Sequence, residues 1–355
     1  MLAFWQTHKP FFVYLGITML VCAVVFGGYS IWRARQPKPV TTTETPTQVA
    51  QPQPAPDLNP LQIEAIKARS YPGSTITVEQ DLGSSLGYNR KIVSYMSDEF
   101  KVFALMAPPN SNAPAGGWPV VILNHGYVEP SSYRTINNYY SAPISALANS
   151  GFAVLMPDYR GHGSSQGTPE GGHFSPVYTY DDLNLISSIA KSPELGLSAS
   201  RIGTLGHSLG AHTSLRVAVV NAIIKATVYA AGVVASADDI LYNWPNSPMT
   251  SDLPSVVQSS RESLLAQYGT PKTNPEFWNS VSAINYVGNV TGASQIQHSQ
   301  SDTVVPLSFS TKLDTALKTA GKPVEFYVYE GSEHQIISNS QLAITRMVEF
   351  FRKSL

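Results

Sequence analysis

Arg201-Ile202-Gly203-Thr204-Leu205 runs directly into Gly206-His207-Ser208-Leu209-Gly210, and an apolar stretch, Ala211 to Val220, follows. The first five residues read as a buried strand, and Leu209 to Val220 as a helix. Between them lies G-x-S-x-G. The pattern alone is short enough to arise by chance. Placed between an apolar strand and an apolar helix, it marks a tight, strained turn that lifts a serine hydroxyl above the strand end. Gly206 and Gly210 give the backbone room. Leu209 opens the helix, so its N–H can point at an oxygen gaining negative charge, where the helix dipole favours that charge.

Outward from this turn the chain alternates. Val120–Leu123 is a solid apolar run, suited to a strand covered on both faces. Ala142–Asn149 reads as a helix, Phe152–Met156 as a strand and Asp181–Ala190 as a helix. Beyond the serine turn come a strand over Ala226–Val234 and another over Gln295–His298. A helix over Pro306–Ala320, a strand over Val324–Tyr329 and a helix over Gln341–Phe351 complete the series. In the last helix, Leu342, Ile344, Met347, Val348 and Phe351 fall at helical spacing. Upstream, Ser74–Glu79, Arg90–Met96 and Lys101–Ala107 are separated by turn residues and read as antiparallel edge strands. The prediction is an α/β domain over 61–355 with a mostly parallel sheet and helices on both faces. Residues 236–287 break the rhythm. With Trp244, Trp278 and a helical run over Arg261–Tyr268, they read as a helical lid insertion.

Ser208 needs a base. Of the eight histidines, His334 follows the last strand through Glu330-Gly331-Ser332-Glu333, which puts it at the same sheet edge. His207 is the variable residue of the turn and is expected to pack, His212 lies on the following helix, and His173 sits in a glycine-rich loop. The base in turn needs an orienting carboxylate. Asp302 lies just after the strand Gln295–His298; Asp238 and Asp239, after the preceding strand, are the rivals. A second oxyanion donor is expected from Asn124-His125-Gly126-Tyr127. Gly126 permits a sharp turn, the Tyr127 N–H donates, and the His125 ring holds the loop. In Asp158-Tyr159-Arg160-Gly161-His162-Gly163, Arg160 and His162 read as braces of the loop or, alternatively, as lining of the pocket. There is no H-E-x-x-H pattern and only one cysteine, Cys22, so neither a metal nor another cofactor is expected.

The N-terminal part differs in kind. From Pro10 to Trp32 no side chain is charged. At about 1.5 Å per residue, the run 11–32 spans roughly 30 Å, the thickness of a hydrocarbon core. Phe4, Trp5, Phe11 and Phe12 at one end, with Tyr29 and Trp32 at the other, resemble interfacial belts. A transmembrane anchor is therefore predicted over 11–32, behind a short flank over 1–10. Residues 33–60, rich in Pro, Thr and Gln, read as an extended linker. Arg33, Arg35 and Lys38 outnumber Lys9, which points the C-terminal side toward the cytoplasm. The polar stalk favours display of the domain outside, and the expectation adopted is an extracytoplasmic domain.

Composition narrows the function class. With 23 Lys plus Arg against 24 Asp plus Glu the formal charge is −1, and 43% of residues are hydrophobic. That excludes wholesale disorder and gives no basic excess for nucleic acid.

Taken in order, His125-Gly126-Tyr127, Asp158 to Gly163, Gly206-His207-Ser208-Leu209-Gly210, Asp302-Thr303-Val304-Val305-Pro306 and His334 resemble the motifs of the α/β-hydrolase superfamily over most of residues 90–355. Within it, the chain is similar to the catalytic domain of the prolyl oligopeptidase group and to dienelactone-hydrolase-like and acyl esterases. Asn274-Pro275-Glu276-Phe277-Trp278 also resembles that group. The His-Ser-Leu-Gly elbow is closer to many esterases than to the Tyr-Gly-Gly ending of the peptidases, and a β-propeller does not fit in the N-terminal segment. The resemblance implies a serine hydrolase with the triad Ser208, Asp302 and His334. Carboxylic esters are the expected substrates, and short peptides or acyl-amino acids are the alternative.

Overall fold

The computed structural model describes residues 58–170, 172–244 and 255–355. The predicted anchor over 11–32 and most of the linker over 33–60 lie outside them. Among the described residues no helix is long and apolar enough to cross a membrane.

Among the described residues nine strands form one sheet: β1 (Thr77–Ser85), β2 (Tyr88–Ser97), β3 (Phe100–Ala107), β4 (Trp118–Asn124), β5 (Ala153–Pro157), β6 (Leu197–His207), β7 (Ile224–Ala230), β8 (Ala293–Ser299) and β9 (Val324–Tyr329). Their spatial order is β1-β2-β3-β5-β4-β6-β7-β8-β9. The first three are antiparallel and β3 runs antiparallel to β5; from β5 to β9 every pairing is parallel. The chain leaves β4 for β5 on one side and later returns to place β6 on the other. That reversal opens a crevice beyond the carboxyl ends of the strands flanking it, the usual place for a ligand in an open α/β sheet. Asn124 pairs opposite Gly206, so the loop after β4 and the serine turn start at one level.

Helices α1 (Ile63–Ala68), α2 (Ser141–Ala148), α3 (Val177–Ala190), α4 (Leu209–Val220), α5 (Ala237–Tyr242), α6 (Ser255–Tyr268), α7 (Pro275–Val281), α8 (Leu307–Thr319), α9 (Ile336–Asn339) and α10 (Gln341–Ser354) connect and cover the strands. Strand side chains alternate between two cores. Val120 and Ile122 join Leu183, Ile186, Leu215 and Leu313 on one face. Val121 and Leu123 join Ile144, Leu147, Met347 and Phe351 on the other. Each such buried side chain contributes roughly 1.5–3 kcal/mol. This two-sided burial is why β4 and β5 read as unbroken apolar runs.

Three predicted boundaries are corrected. β1 starts at Thr77, not Ser74, because the N–H groups before it are taken by side chains of α3 and the turn after it. Gly73 donates to Asn184 Oδ1, Ser74 to Ser188 Oγ and Ile76 to Ser192 Oγ, at 2.9, 2.9 and 2.7 Å. β7 ends at Ala230, not Val234, because Ala231 adopts φ 46° and turns the chain toward the elbow. There the Val233 N–H donates to the Ser208 carbonyl at 3.3 Å. Helix α3 begins at Val177 rather than Asp181, since Asp181 and Asp182 are themselves buried and blur the amphipathic signal. The region predicted as a lid is helical where described. Phe277, Trp278 and Val281 pack down on Val233, Ala235, Val305 and Phe309.

Candidate active site

Ser208 sits at the end of β6 with φ 54° and ψ −117°. A non-glycine residue held there stores roughly 1–3 kcal/mol of strain, which the surroundings must over-determine. They do. Its N–H donates to the Ala230 carbonyl at 3.0 Å, and its carbonyl accepts from Ala211 at 3.1 Å. The glycines on either side serve close approach. A Cβ on Gly206 would fall 2.5 Å from Ala211 Cα, and one on Gly210 would drive into the Asn124 carbonyl and lie 2.7 Å from the His125 oxygen. The elbow thus fits only when strand, helix and β4 loop are pressed together. Leu209 is the first residue of α4, so its N–H has no intrahelical acceptor.

Asp302 and His334 meet three and five residues beyond the paired ends of β8 and β9. His334 Nδ1 donates to Asp302 Oδ2 at 2.8 Å, and the Asp302 side chain is fully buried. Its other oxygen, Oδ1, accepts from Val304 N–H at 2.8 Å and Val305 N–H at 3.0 Å. His298, fully buried at the end of β8, brings Nε2 to 3.3 Å from Asp302 Oδ2. Its Nε2 also lies 3.0 Å from the Val305 carbonyl, and its Nδ1 lies 2.7 Å from Ser310 Oγ. Burial works to raise the Asp302 carboxyl. Hydrogen bonds from His298, His334 and Val304 outweigh burial and hold it below the usual carboxylate range. The rival acids are elsewhere. Asp238 is exposed on α5. Asp239 accepts from Ser236 at 2.8 Å and Asn243 at 3.0 Å and pairs with Lys312.

Ser208, Leu209, Tyr127 and His334 line one cavity of about 470 Å³, with Gly126, Tyr139, His173, Trp244 and Val304 among the other walls. The Gly126 N–H is already given to Tyr140 Oη at 2.8 Å, leaving the Tyr127 N–H as the next donor in that loop. The Tyr127 phenol is half exposed and donates to Glu129 at 2.9 Å. His125 lies beneath, with Nδ1 2.7 Å from the Gly126 carbonyl and its ring stacked on Tyr133. Burial lowers its pKa to about 4, so it holds the loop as a neutral ring.

The loop after β5 is a brace. Arg160 forms a buried bidentate pair with Asp181, at 2.7 Å from Nη2 to Oδ1 and 3.3 Å from Nε to Oδ2. His162 packs edge-on against Tyr133, Tyr159 and Tyr178. Asp158 does not reach a histidine ring with its carboxylate; Thr135 Oγ1 and Tyr133 Oη donate to it at 2.5 and 3.2 Å.

Tyr140 and Tyr139 are parts the sequence did not point to, and His298 was given no role although it lies one strand residue and a short turn before Asp302. Trp244, named in the predicted lid, and His173, placed in a glycine-rich loop, turn out to be cavity walls. Among the described residues no group of His, Cys, Asp and Glu could hold a metal ion.

Residues 138–355 match the model of the prolyl oligopeptidase family. Among solved structures, the chain is similar to an acylaminoacyl peptidase from Pyrococcus horikoshii, with 18% identity and a TM-score of 0.60 over 76% of this chain and 42% of that one. Dipeptidyl peptidase 4 from Porphyromonas gingivalis gives 22% identity and a TM-score of 0.55 over 82% of this chain and 37% of that one. Acetyl xylan esterase 1 from Thermoanaerobacterium sp. JW/SL YS485 gives 15% and 0.59 over 79% of this chain and 88% of that one. The chain therefore spans about two fifths of each peptidase's length. These likenesses show a shared α/β-hydrolase fold.

Proposed function

Because the chain belongs to the prolyl oligopeptidase family, and is thereby a serine hydrolase of α/β-hydrolase fold, we propose that Ser208, His334 and Asp302 are its catalytic triad and that it cleaves carboxylic esters through an acyl-enzyme. The observation that carries this is the common cavity. Ser208 and Leu209 share it with His334, whose Nδ1 is engaged by Asp302, and its walls include the apolar surfaces of Tyr139, Trp244 and Val304.

In this reading Asp302 fixes His334 with its proton on Nδ1, leaving Nε2 to take the Ser208 proton as Oγ bonds to the substrate carbonyl carbon. The carbonyl oxygen becomes an oxyanion against the N–H groups of Tyr127 and Leu209. Losing one such donor typically costs roughly 3–4 kcal/mol of barrier. His334 passes the proton to the departing alcohol as the C–O bond breaks. A water molecule, deprotonated by the same ring, then releases the acid and restores Ser208. No cofactor enters. Membership in a peptidase family favours a second reading, cleavage of short peptides or acyl-amino acids by the same residues.

The test is turnover of p-nitrophenyl esters of graded acyl length beside aminoacyl p-nitroanilides, with Ser208→Ala as control. Ester cleavage abolished by Ser208→Ala is expected. Anilide cleavage at comparable rates would transfer the assignment to peptidase, and ester cleavage surviving Ser208→Ala would overturn the nucleophile. The reading includes, on sequence grounds, the anchor over 11–32 and an extracytoplasmic hydrolase. Protease shaving of intact cells tests the side: digestion of the 61–355 unit is expected, and its protection would place it in the cytoplasm.

A further inference from the structure

His207, the variable residue of the elbow, is 2% exposed and bridges two other loops. Its Nδ1 lies 2.9 Å from Tyr140 Oη, and its Nε2 lies 2.9 Å from the main-chain carbonyl of His334. Tyr140, at the N-terminus of α2, also accepts from the Gly126 N–H at 2.8 Å. The protons in this chain have one consistent arrangement. The His334 carbonyl can only accept, so His207 Nε2 carries a proton. A neutral ring then offers Nδ1 as acceptor, and the single Tyr140 hydroxyl proton goes there. Burial, reinforced by the nearby His334, keeps the His207 ring neutral, with a pKa lowered to about 3. The relay reads Gly126 N–H to Tyr140 O–H to His207, then His207 N–H to the His334 carbonyl. The fit is close, since a Cβ on Gly126 would lie 3.0 Å from His207 Nδ1 and 3.3 Å from Tyr140 Oη.

We propose that His207 and Tyr140 are positioning residues that lock the Gly126–Tyr127 loop, the Ser208 elbow and the His334 loop into reactive register. The inference rests on the triad reading given above. From the β8 side the His334 loop is held by Ser299 Oγ, which donates to the Glu333 carbonyl at 2.6 Å. From the elbow side the tie is His207. Both side chains also border the cavity, and the role assigned to them is the bridge between the three loops. Each fixes where another reacting group stands, and a misplacement of about 1 Å can lower a rate about 100-fold.

The experiment uses the full-length chain and p-nitrophenyl acetate, comparing wild type, Ser208→Ala, Tyr140→Phe, His207→Phe, His207→Gln and the double variant Tyr140→Phe/His207→Phe. Tyr140→Phe and His207→Phe should each lower kcat roughly 10- to 100-fold with KM within about threefold. The double variant should be no slower than the worse single variant, because both break one relay. His207→Gln, whose amide N–H₂ reaches the Nε2 position, should recover most of the rate lost in His207→Phe. The relay is wrong if Ser208→Ala is inactive while Tyr140→Phe and His207→Phe keep wild-type kcat. It is equally wrong if their effects multiply, or if KM rises with kcat unchanged. Turnover surviving Ser208→Ala would instead remove the triad reading, and the relay with it. Thermal unfolding of each variant confirms a folded protein. Should His207→Phe not fold, Tyr140→Phe, which removes one oxygen atom, carries the test.

Discussion

Two aspartates stand just beyond strand ends at the same edge of the sheet, and they do opposite things. Asp302 follows β8 and Asp158 follows β5, and both carboxylates are fully buried. Asp302 accepts from two imidazoles and two backbone N–H groups, which hold its carboxyl below the usual range. Asp158 accepts from two neutral hydroxyls; burial dominates and raises its pKa to about 7. Position at a strand end brings a carboxylate to the site's edge, but donors arriving from other loops decide its charge. Charge then decides its use. Asp302 can stabilise an imidazolium on the cavity wall, whereas Asp158 pins Tyr133 and Thr135 under the β5 loop.

Removing each charge should separate the two most sharply. Asp302→Asn should lower kcat roughly 10⁴-fold by presenting His334 in the wrong tautomer, while Asp158→Asn keeps kcat within about threefold; steady-state ester kinetics read both. Similar losses at the two positions would erase the distinction. Next comes Arg160, the cation of the bracing loop. Arg160→Met leaves Asp181 buried without its partner and should destabilise the fold by about 3–5 kcal/mol, measured by urea unfolding, with kcat of the folded protein nearly unchanged.

A smaller effect lies in the pH dependence of stability. The unfolded chain releases the Asp158 proton near 3.8, and the folded chain does so at about 7. Between those values the folded state binds more protons, so this group's contribution to stability falls as pH rises and levels off above about 7. Asp158→Asn should make the decline in melting temperature between pH 4 and 7 shallower, the buried Asp181 and Asp182, whose pKa values burial also raises, keeping their own share; an unchanged slope would show that Asp158 is ionised throughout. The smallest effect belongs to the rival acid. Asp239→Asn should leave kcat within about twofold and cost at most about 1 kcal/mol, because Asp239 is tied to Lys312 and Asn243 rather than to His334.

Much of this arrangement was visible in the chain. Val120–Leu123 announced a strand covered on both faces and Arg201–Leu205 an apolar strand, and Ser208 was marked by the elements on either side of it. Asp302 and His334 were placed by the strands before them. What stayed hidden is what crosses between distant segments. Tyr140 and His207 are separated by 67 residues, and His207 and the His334 carbonyl by 127, so no local pattern can announce their bonds. The start of β1 was missed for the same reason: Asn184, Ser188 and Ser192 claim the N–H groups that a ladder would have used. Arg160 was read as a brace, but its partner Asp181 stands 21 residues away on α3, where no local pattern points to it.

The most direct test of the central claim needs no knowledge of the natural substrate. The full-length protein is treated with a fluorophosphonate, and the adduct is located by peptide mass spectrometry. One adduct on Ser208, absent in Ser208→Ala and formed much more slowly in Asp302→Asn, is the result expected of a serine activated through His334 and Asp302. Folded protein that gains no adduct, or carries it on another residue, would contradict the assignment of Ser208, His334 and Asp302 as the catalytic triad.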